Sequence, residues 1–363
     1  MAKLHIFNPE HDIALASNLA NFTAPHAGRQ LRNDLGFLPM LWADEGDVVL
    51  VDDVASAERT WRRVRSRIAT CIDANRLQPP NTSFAAFKQP VCSLQTTRIE
   101  PWGWDKALCA ALKRQGISPS LLPNTQKLEA IRQQSHRRLA AHLLPSLRIE
   151  GTVGEAFECM SEEAVTSHLQ HYGRIVLKAP WSSSGRGIRF CDASLPSDPG
   201  KTANDNRWLQ NLLQRQGSVM VEPYYNKVKD FGMEFHVDDS GIIHYDGLSL
   251  FHTVNGAYTG NILATEQTKR EMISRYIPVT LLDTVQELII SHLSLQNYVG
   301  PFGVDMMVVA DDSRFLLHPC VEINLRRTMG HVALAISPTD DDIVRVMRIV
   351  YNGTNYQLKI QHL

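Results

Sequence analysis

LHPCVEINLRRTM, residues 317–329, read together with GVDMM at 303–307, decides the fold of this 363-residue chain. GVDMMVVA and FLLHPCVEIN are both rich in residues that suit a pleated strand, and ADDSR between them has turn chemistry. The three stretches read as one β-hairpin. Side chains alternate along a strand, so Glu322 and Asn324 project from the same face. A tight turn near Ser313–Arg314 sets Asp305 roughly opposite Glu322 on that face. Pro319 cannot donate to a ladder and marks an edge or a bulge, where the register can slip by one. Two carboxylates and an amide oxygen suit Mg²⁺, a hard cation that takes its remaining ligands from water and nucleotide phosphates. Arg326 and Arg327 follow at once, so cations adjoin an anion site and the arrangement points to phosphoryl chemistry. The competing reading is a solvated acidic strand edge, and the segments upstream decide between the two.

RIVLKAPWSSSGRGIRF (174–190) is a buried-looking strand carrying Lys178, then a Ser/Gly-rich loop, then a short strand. Ser182, Ser183, Ser184, Gly185 and Gly187 bring backbone N–H groups and hydroxyls close to phosphate oxygens, and glycine tolerates the positive φ that such a nest needs. Lys178 reaches a phosphate as a point charge. The loop is not of the GxxxxGK[ST] type, because the lysine precedes the glycines; without a ligand it is a plain Ser/Gly hairpin. In SVMVEPYYNKVKDFGMEFHV (218–237) an apolar strand runs into the stiff connection Glu222-Pro223-Tyr224-Tyr225. A second strand then carries Glu234 between Met233 and Phe235. That acid is either the solvent-facing half of an alternation or, after a linker lying along an adenine edge, a ribose-binding group.

A strand lysine, a Ser/Gly loop, VMVEPYY, MEFHV, GVDMM and EINLR stand here in the order and spacing of the ATP-grasp superfamily. Over residues roughly 135–330 the chain resembles the carboxylate–amine ligases of the D-alanine–D-alanine ligase and biotin carboxylase type. The resemblance implies an ATP-grasp fold of α/β and α+β class with an N-terminal parallel α/β domain. Its boundaries are expected at 1–120, 121–215 and 216–363. It implies ATP and Mg²⁺, as one ion or two with Mn²⁺ able to substitute, and an ADP-forming ligase that makes an acylphosphate for attack by an amine. The substrates implied are a small-molecule carboxylate and an amine, or a peptide, and a homodimer is compatible with the family.

Carried over by position, Lys178 resembles the lysine on the α- and β-phosphates, and Ser182 to Gly187 the loop over them. Glu222 and Tyr224 stand at the adenine hinge and Glu234 at the ribose. Asp305, Glu322 and Asn324 match the metal ligands, and Arg326 the arginine that meets phosphate or substrate. A phosphotransferase acting on a hydroxyl would use the same grip and stop after one transfer. A nucleotide-binding protein without turnover would not need all three metal ligands.

There are two departures from the family pattern. An early lysine is expected near QSHRRLAAHLLP (134–145), where Arg137 and Arg138 stand instead; the two are equally placed, and a helix-surface charge pair describes them as well. An arginine is expected two residues before Asp305, where Gly303 stands, so an oxyanion-stabilising arginine must come from elsewhere, with Arg326 and Arg327 the candidates.

YDGLSLFHTVNGAYTGNILATEQTK (245–269) reads as a strand and then a long polar loop over the triphosphate, with His252, Tyr258 and Asn261 able to meet substrate. A surface loop with an incidental histidine is the plainer alternative. REMISRYIPVTLLDTVQELIISHLSLQ has apolar residues near 3.6 spacing and should pack under the sheet, divided by Pro278.

In the N-terminal third, LHIF (4–7) and VVLVDD (48–53) read as strands, and WRRVRSRIATCIDANRLQ and PWGWDKALCAALKRQGI (101–117) as helices. The alternation indicates a parallel sheet. NPEHDIALA (8–16) follows the first strand, where such sheets place ligands, so Asn8, Glu10, His11 and Asp12 are substrate candidates, with His26 and Arg29 nearby. An N-cap cluster at Asp12 is the alternative. SLPSDPGKTANDN (194–206) is the most disordered-looking insert.

Net charge is −1, from 37 Lys plus Arg against 38 Asp plus Glu, and no basic cluster appears. That argues against a nucleic-acid partner, whose phosphates call for a positive face. The six cysteines lack CxxC spacing and suit reduced thiols in a cytoplasmic protein. No apolar run approaches the roughly 20 residues that span a bilayer, so no membrane association is expected.

Overall fold

The computed structural model describes residues 2–69, 82–87, 96–182, 187–194, 199–254 and 257–362, the backbone alone for 199–205, 254 and 257. Three sheets build the chain. The first holds β1 (Ala2–Ile6), β2 (Val48–Val51), β3 (Ser83–Ala86) and β4 (Thr96–Pro101), all parallel, in the order β3-β2-β1-β4. Every residue of β2 is buried, as both-face coverage of a parallel sheet demands. The helices around it are α1 (His11–Ser17), α2 (His26–Leu35), α3 (Val54–Ile68) and α4 (Lys106–Arg114). Asp53 and Asp105 cap α3 and α4 by accepting from Ser56 and Leu108. In α3 the basic run from Arg59 to Arg67 keeps Trp61 and Val64 inward, so it is a solvated face over a core stripe.

Next come α5 (Thr125–Gln134), α6 (Arg138–Leu143), β5 (Phe157–Cys159), α7 (Glu162–Tyr172), β6 (Arg174–Lys178), β7 (Ile188–Asp192), α8 (Pro199–Gln216) and β8 (Val219–Pro223). The four strands form an antiparallel sheet in the order β5-β8-β6-β7, over which α7 and α8 pack. Part of the disordered-looking insert is therefore the start of α8; residues 195–198 lie outside the described residues.

The third sheet is the largest. It contains β9 (Lys227–Val237), β10 (Ile243–Val254), β11 (Ala257–Leu263), β12 (Gly300–Asp311), β13 (Arg314–Asn324), β14 (Arg345–Tyr351) and β15 (Tyr356–His362), in the order β13-β12-β9-β10-β11-β14-β15. Beneath it lie α9 (Glu266–Ser274) and α10 (Val279–His292), divided at Pro278, with Ile273, Leu282, Val285 and Ile289 in its core. The last helix, α11 (Met329–Ala335), packs with β14 and β15 against the first sheet: Val332, Met347 and Leu358 share a core with Phe37, Val49 and Trp61. Among the described residues no helix is long and apolar enough to cross a membrane.

Three expectations are corrected. The boundary at 215/216 falls before β8, which bonds to β5 and β6; the change of sheet comes after the Pro223-Tyr224-Tyr225 connection. Ile131, Ala140, Leu143 and Leu147, placed with the second unit, are buried in the core of the third sheet instead. The polar stretch HTVNGAYTGN is not a loop. His252–Val254 and Ala257–Asn261 pair as strands, and only Asn255 and Gly256, outside the described residues, separate β10 from β11. Asn-Gly between β-forming residues is a two-residue hairpin signal, and it outweighs polarity.

Candidate active site

The hairpin forms as its alternation demands. Asp305 of β12 stands directly opposite Glu322 of β13, and Gly303 opposite Asn324. A bulge follows: Asp305 to Met307 spans two residues of β12 while Glu322 to His318 spans four of β13, with Pro319 inside the irregularity. The slip is even, so the facing of Glu322 survives it.

β9 runs beside β12 and adds Glu234, opposite Gly303, to the same face. Three carboxylates therefore share one patch of sheet. Burial, then Glu322 and Glu234, push the Asp305 carboxyl up to about 8. Two arginines and an amide answer the patch. Arg137 reaches Glu322 at 2.7 Å. Arg326 donates to Asn324 Oδ1 at 2.9 Å and grips Asp12 through Nε and Nη2 at 2.8–3.1 Å. Asn324 Nδ2 donates to Asp305 at 3.0 Å. Burial alone would raise the Asp12 carboxyl, but Arg326 and His11 hold it well below the usual carboxylate range.

The second sheet supplies the facing wall. Lys178, at the end of β6, is buried and donates to Glu222 of β8 at 2.5 Å. Arg137 also ties this wall to the hairpin, donating to the Ala179 carbonyl at 3.1 Å and to Ser182 Oγ at 3.3 Å. Gly187 closes tightly on Ser182: a Cβ there would meet the Ser182 hydroxyl at 2.5 Å. Ser183, Ser184 and Gly185 lie outside the described residues.

No protein-family model and no curated protein sequence matches the chain. Its likeness is one of shape. The biotin carboxylase of Campylobacter jejuni, solved as a β,γ-ATP complex, superposes with a TM-score of 0.52 at 10% identity, covering 96% of this chain and 75% of that one. The chain has the ATP-grasp fold. Lower scores come from the biotin carboxylase domain of Hydrogenobacter thermophilus 2-oxoglutarate carboxylase (0.49, 13% identity, 96% and 74% coverage) and the N5-carboxyaminoimidazole synthetase of Staphylococcus aureus complexed with ADP (0.47, 10%, 97% and 83%).

On this ATP-grasp frame the site residues sort themselves. Arg137 and Arg138 part by helix geometry. Arg137 turns into the cleft, whereas Arg138, one residue on, points away to Glu158 at 3.2 Å. Glu222 is the ion-pair partner of Lys178 rather than a free hinge group. Tyr224 is exposed and packs on the Arg174 guanidinium at 4.0 Å.

Glu234 is enclosed by α11. Thr328 donates to it at 2.8 Å, His331 lies at 3.0 Å, and Gly330 covers its other oxygen so closely that a Cβ would sit 1.8 Å away. The same carboxylate explains Gly303, where a Cβ would meet Glu234 Oε2 at 2.6 Å, so no arginine fits at that position.

Of the N-terminal candidates only Asp12 meets the hairpin. Asn8 is buried and donates to the Gly103 carbonyl at 2.8 Å, Glu10 pairs with Arg32 at 2.9 Å, and both stitch the first domain together. Asp12 is not the cap of α1, whose N-cap is Glu10. Tyr258 donates to Asn261, which donates to Ser249 at 2.8 Å; these groups are spent on each other within the sheet. His252 is exposed on β10, with Lys229 3.5 Å away.

Asp305, Glu322 and Asn324, two carboxylates and one amide, form a donor set of the chemistry that suits Mg²⁺. Among the described residues no group of three His, Cys, Asp or Glu side chains is placed to hold a metal ion. The sequence reading missed Trp102, Trp104, His236 and Asp246, which line a cavity of about 980 Å³ beside this face. PWGW at 101–104 lies past the end of a parallel strand, the position that made NPEHD a candidate, and carried the same signal.

Proposed function

We propose that this chain is an Mg²⁺- and ATP-dependent, ADP-forming ligase that activates a carboxylate for attack by an amine. One observation carries the reading: Asp305 and Glu322 stand in register on a hairpin whose exit places Asn324 and Arg326 beside them, facing Lys178 and Arg137 across the cleft.

In this reading Lys178 exchanges Glu222 for the α- and β-phosphates, and Ser182 with Gly187 lies along them. Asp305, Glu322 and Asn324 hold Mg²⁺, which supplies charge neutralisation at the β- and γ-phosphates when bound. Arg137, seated between the phosphate loop and Glu322, meets the γ-phosphate end. The substrate carboxylate oxygen attacks the γ-phosphorus in line as the bond to the β-phosphate oxygen breaks and ADP leaves. The amine then attacks the acyl carbon, losing a proton as phosphate departs, with Arg326 stabilising the tetrahedral oxyanion.

The test is a turnover screen of the full chain with Mg·ATP and pooled amino acids and dipeptides, read by product mass. The expected result is ADP, phosphate and a product whose mass equals the sum of its two substrates less one water, with turnover abolished by Glu322→Gln and by Asn324→Ala. Formation of AMP, or phosphate retained on one acceptor, overturns the ligase reading; the second result would mark a kinase.

A further inference from the structure

The cavity of about 980 Å³ lies between the first sheet and the far end of β9 and β12. Its size is that of a pocket for a molecule larger than a single amino acid, near the upper end of the range for small-molecule sites. It sits at a topological switch point: the first sheet runs β3-β2-β1-β4, so the chain leaves β1 in one direction and returns on its other side at β4. Loops after strands at such a point form a crevice, and Trp102, Gly103 and Trp104, directly after β4, line this one.

The opposite wall belongs to the catalytic sheet. Asn324, Gly303 and Glu234 form one row across β13, β12 and β9, and the lining residues Pro301 and His236 form the next same-facing row. Two residues of strand separate these rows, roughly 7 Å. The cavity therefore adjoins the metal face along the sheet.

Its charges are unevenly spent. Glu100 and Asp239 are taken by Arg98 at 3.3 and 2.8 Å, Asp238 by His244 at 2.8 Å, and Asp246 by His236 at 2.6 Å. Arg327 differs. Its backbone N–H donates to the Trp102 carbonyl at 2.8 Å, and its guanidinium stacks on Trp42 at 4.4 Å. Among the described residues no carboxylate lies within ion-pair distance of that guanidinium; burial disfavours its charge, and Glu100, Asp246 and Glu234 offset this only from farther off. An arginine held over an indole, with no carboxylate within ion-pair distance, is a preorganised anion receptor.

Resting on the ligase reading, we propose that this cavity receives the second substrate and that Arg327 anchors an anionic group on it, a carboxylate or a phosphate. Arg326 and Arg327 thereby divide the work, the first at the metal face and the second in the acceptor pocket, with the lining tryptophans covering the apolar part of the ligand. NPEHD is then the support of Arg326 rather than a pocket wall.

The experiment is a tryptophan-fluorescence titration of the full chain, with Mg·AMPPNP added first to fill the nucleotide site. The probes are succinate and glycerol 3-phosphate, each against its neutral counterpart, succinamide and glycerol. Saturable binding of at least one anion, at least tenfold tighter than its neutral partner, is expected; which anion binds separates carboxylate from phosphate. Arg327→Met should weaken it at least tenfold and Arg327→Lys should restore part. Should Arg327→Met melt early, Arg327→Lys carries the comparison, with Lys127→Met, another cation of the lining, as the control that should weaken the anion less. No saturable binding of either anion, or equal binding by wild type and the Arg327 variants, overturns the proposal. Failure of Mg·AMPPNP to bind in the first step would count against the ligase reading instead, and the titration repeated without nucleotide still decides the cavity.

Discussion

Arg326 and Asp12, 314 residues apart in sequence, meet in a forked ion pair in which Nε and Nη2 both reach the carboxylate. The pair joins the first domain to the end of the metal hairpin, because the same guanidinium also holds Asn324. Domain docking and the shape of the site are therefore one event.

Removing one partner should be costly to both. Asp12→Ala leaves Arg326 uncompensated in a partly buried place, so unfolding in urea should show a loss of about 3 kcal/mol, the scale for a broken buried pair. Mg·ATP turnover should fall with it. A loss within the range of an exposed pair, below about 1 kcal/mol, would show that the fork does not dock the domains.

Lys178 and Glu222 predict a compensation. Lys178→Ala should weaken ATP and ADP by about 1.5–3 kcal/mol, the value of a charged hydrogen bond, and AMP by less. It should also destabilise the free protein, since Glu222 is left buried and alone. Adding Glu222→Gln should return much of the stability and none of the nucleotide affinity. Calorimetry on the three variants checks this; equal losses for AMP, ADP and ATP would make Lys178 structural.

Arg137 and Arg138 should separate cleanly. Arg137→Ala removes contacts to Glu322, Ala179 and Ser182, and turnover should fall by more than tenfold. Arg138→Ala breaks a half-exposed contact to Glu158, so stability should change by less than about 1 kcal/mol and turnover hardly at all. Comparable activity loss in both variants would contradict the assignment.

His318 gives a pH dependence. It is wholly buried with both ring nitrogens unpartnered, beside Gly154 and the Tyr225 ring, and burial pulls its pKa down to about 4 from 6.5. The unfolded chain takes up this proton below about 6.5, but the folded chain only below about 4. Stability from the neutral ring is thus complete above 6.5 and lost as pH falls from 6.5 to 4, by about 3 kcal/mol. His318→Leu should remove this slope from the wild-type minus variant difference in urea midpoints, and should not cost stability at pH 7. A slope unchanged by the substitution would assign the acid sensitivity to other groups.

The metal hairpin was legible in sequence because strand alternation is local. Once Asp305 and Glu322 lie on paired strands, the face they share follows from counting, and even the bulge was marked by Pro319. The lysine strand, the split of α9 from α10 at Pro278 and the parallel first sheet were legible for the same reason: each rests on periodicity or a residue with fixed backbone demands.

Whatever depended on contact across the chain was not legible. Nothing local distinguishes Arg137 from Arg138; the choice came from the turn of α6 against β13. Nothing local to Glu234 shows that α11, almost a hundred residues on, lays Gly330 and Thr328 over it. Asp12 gained its meaning from Arg326, and Arg327 from a cavity whose walls come from widely separated stretches of chain. Sequence by itself determined the fold and which side chains could bind metal and phosphate, since those follow from short-range backbone geometry and donor chemistry. The tertiary structure decided which of them are free to do so, because a charge is available to a ligand only when no partner brought from elsewhere has already neutralised it.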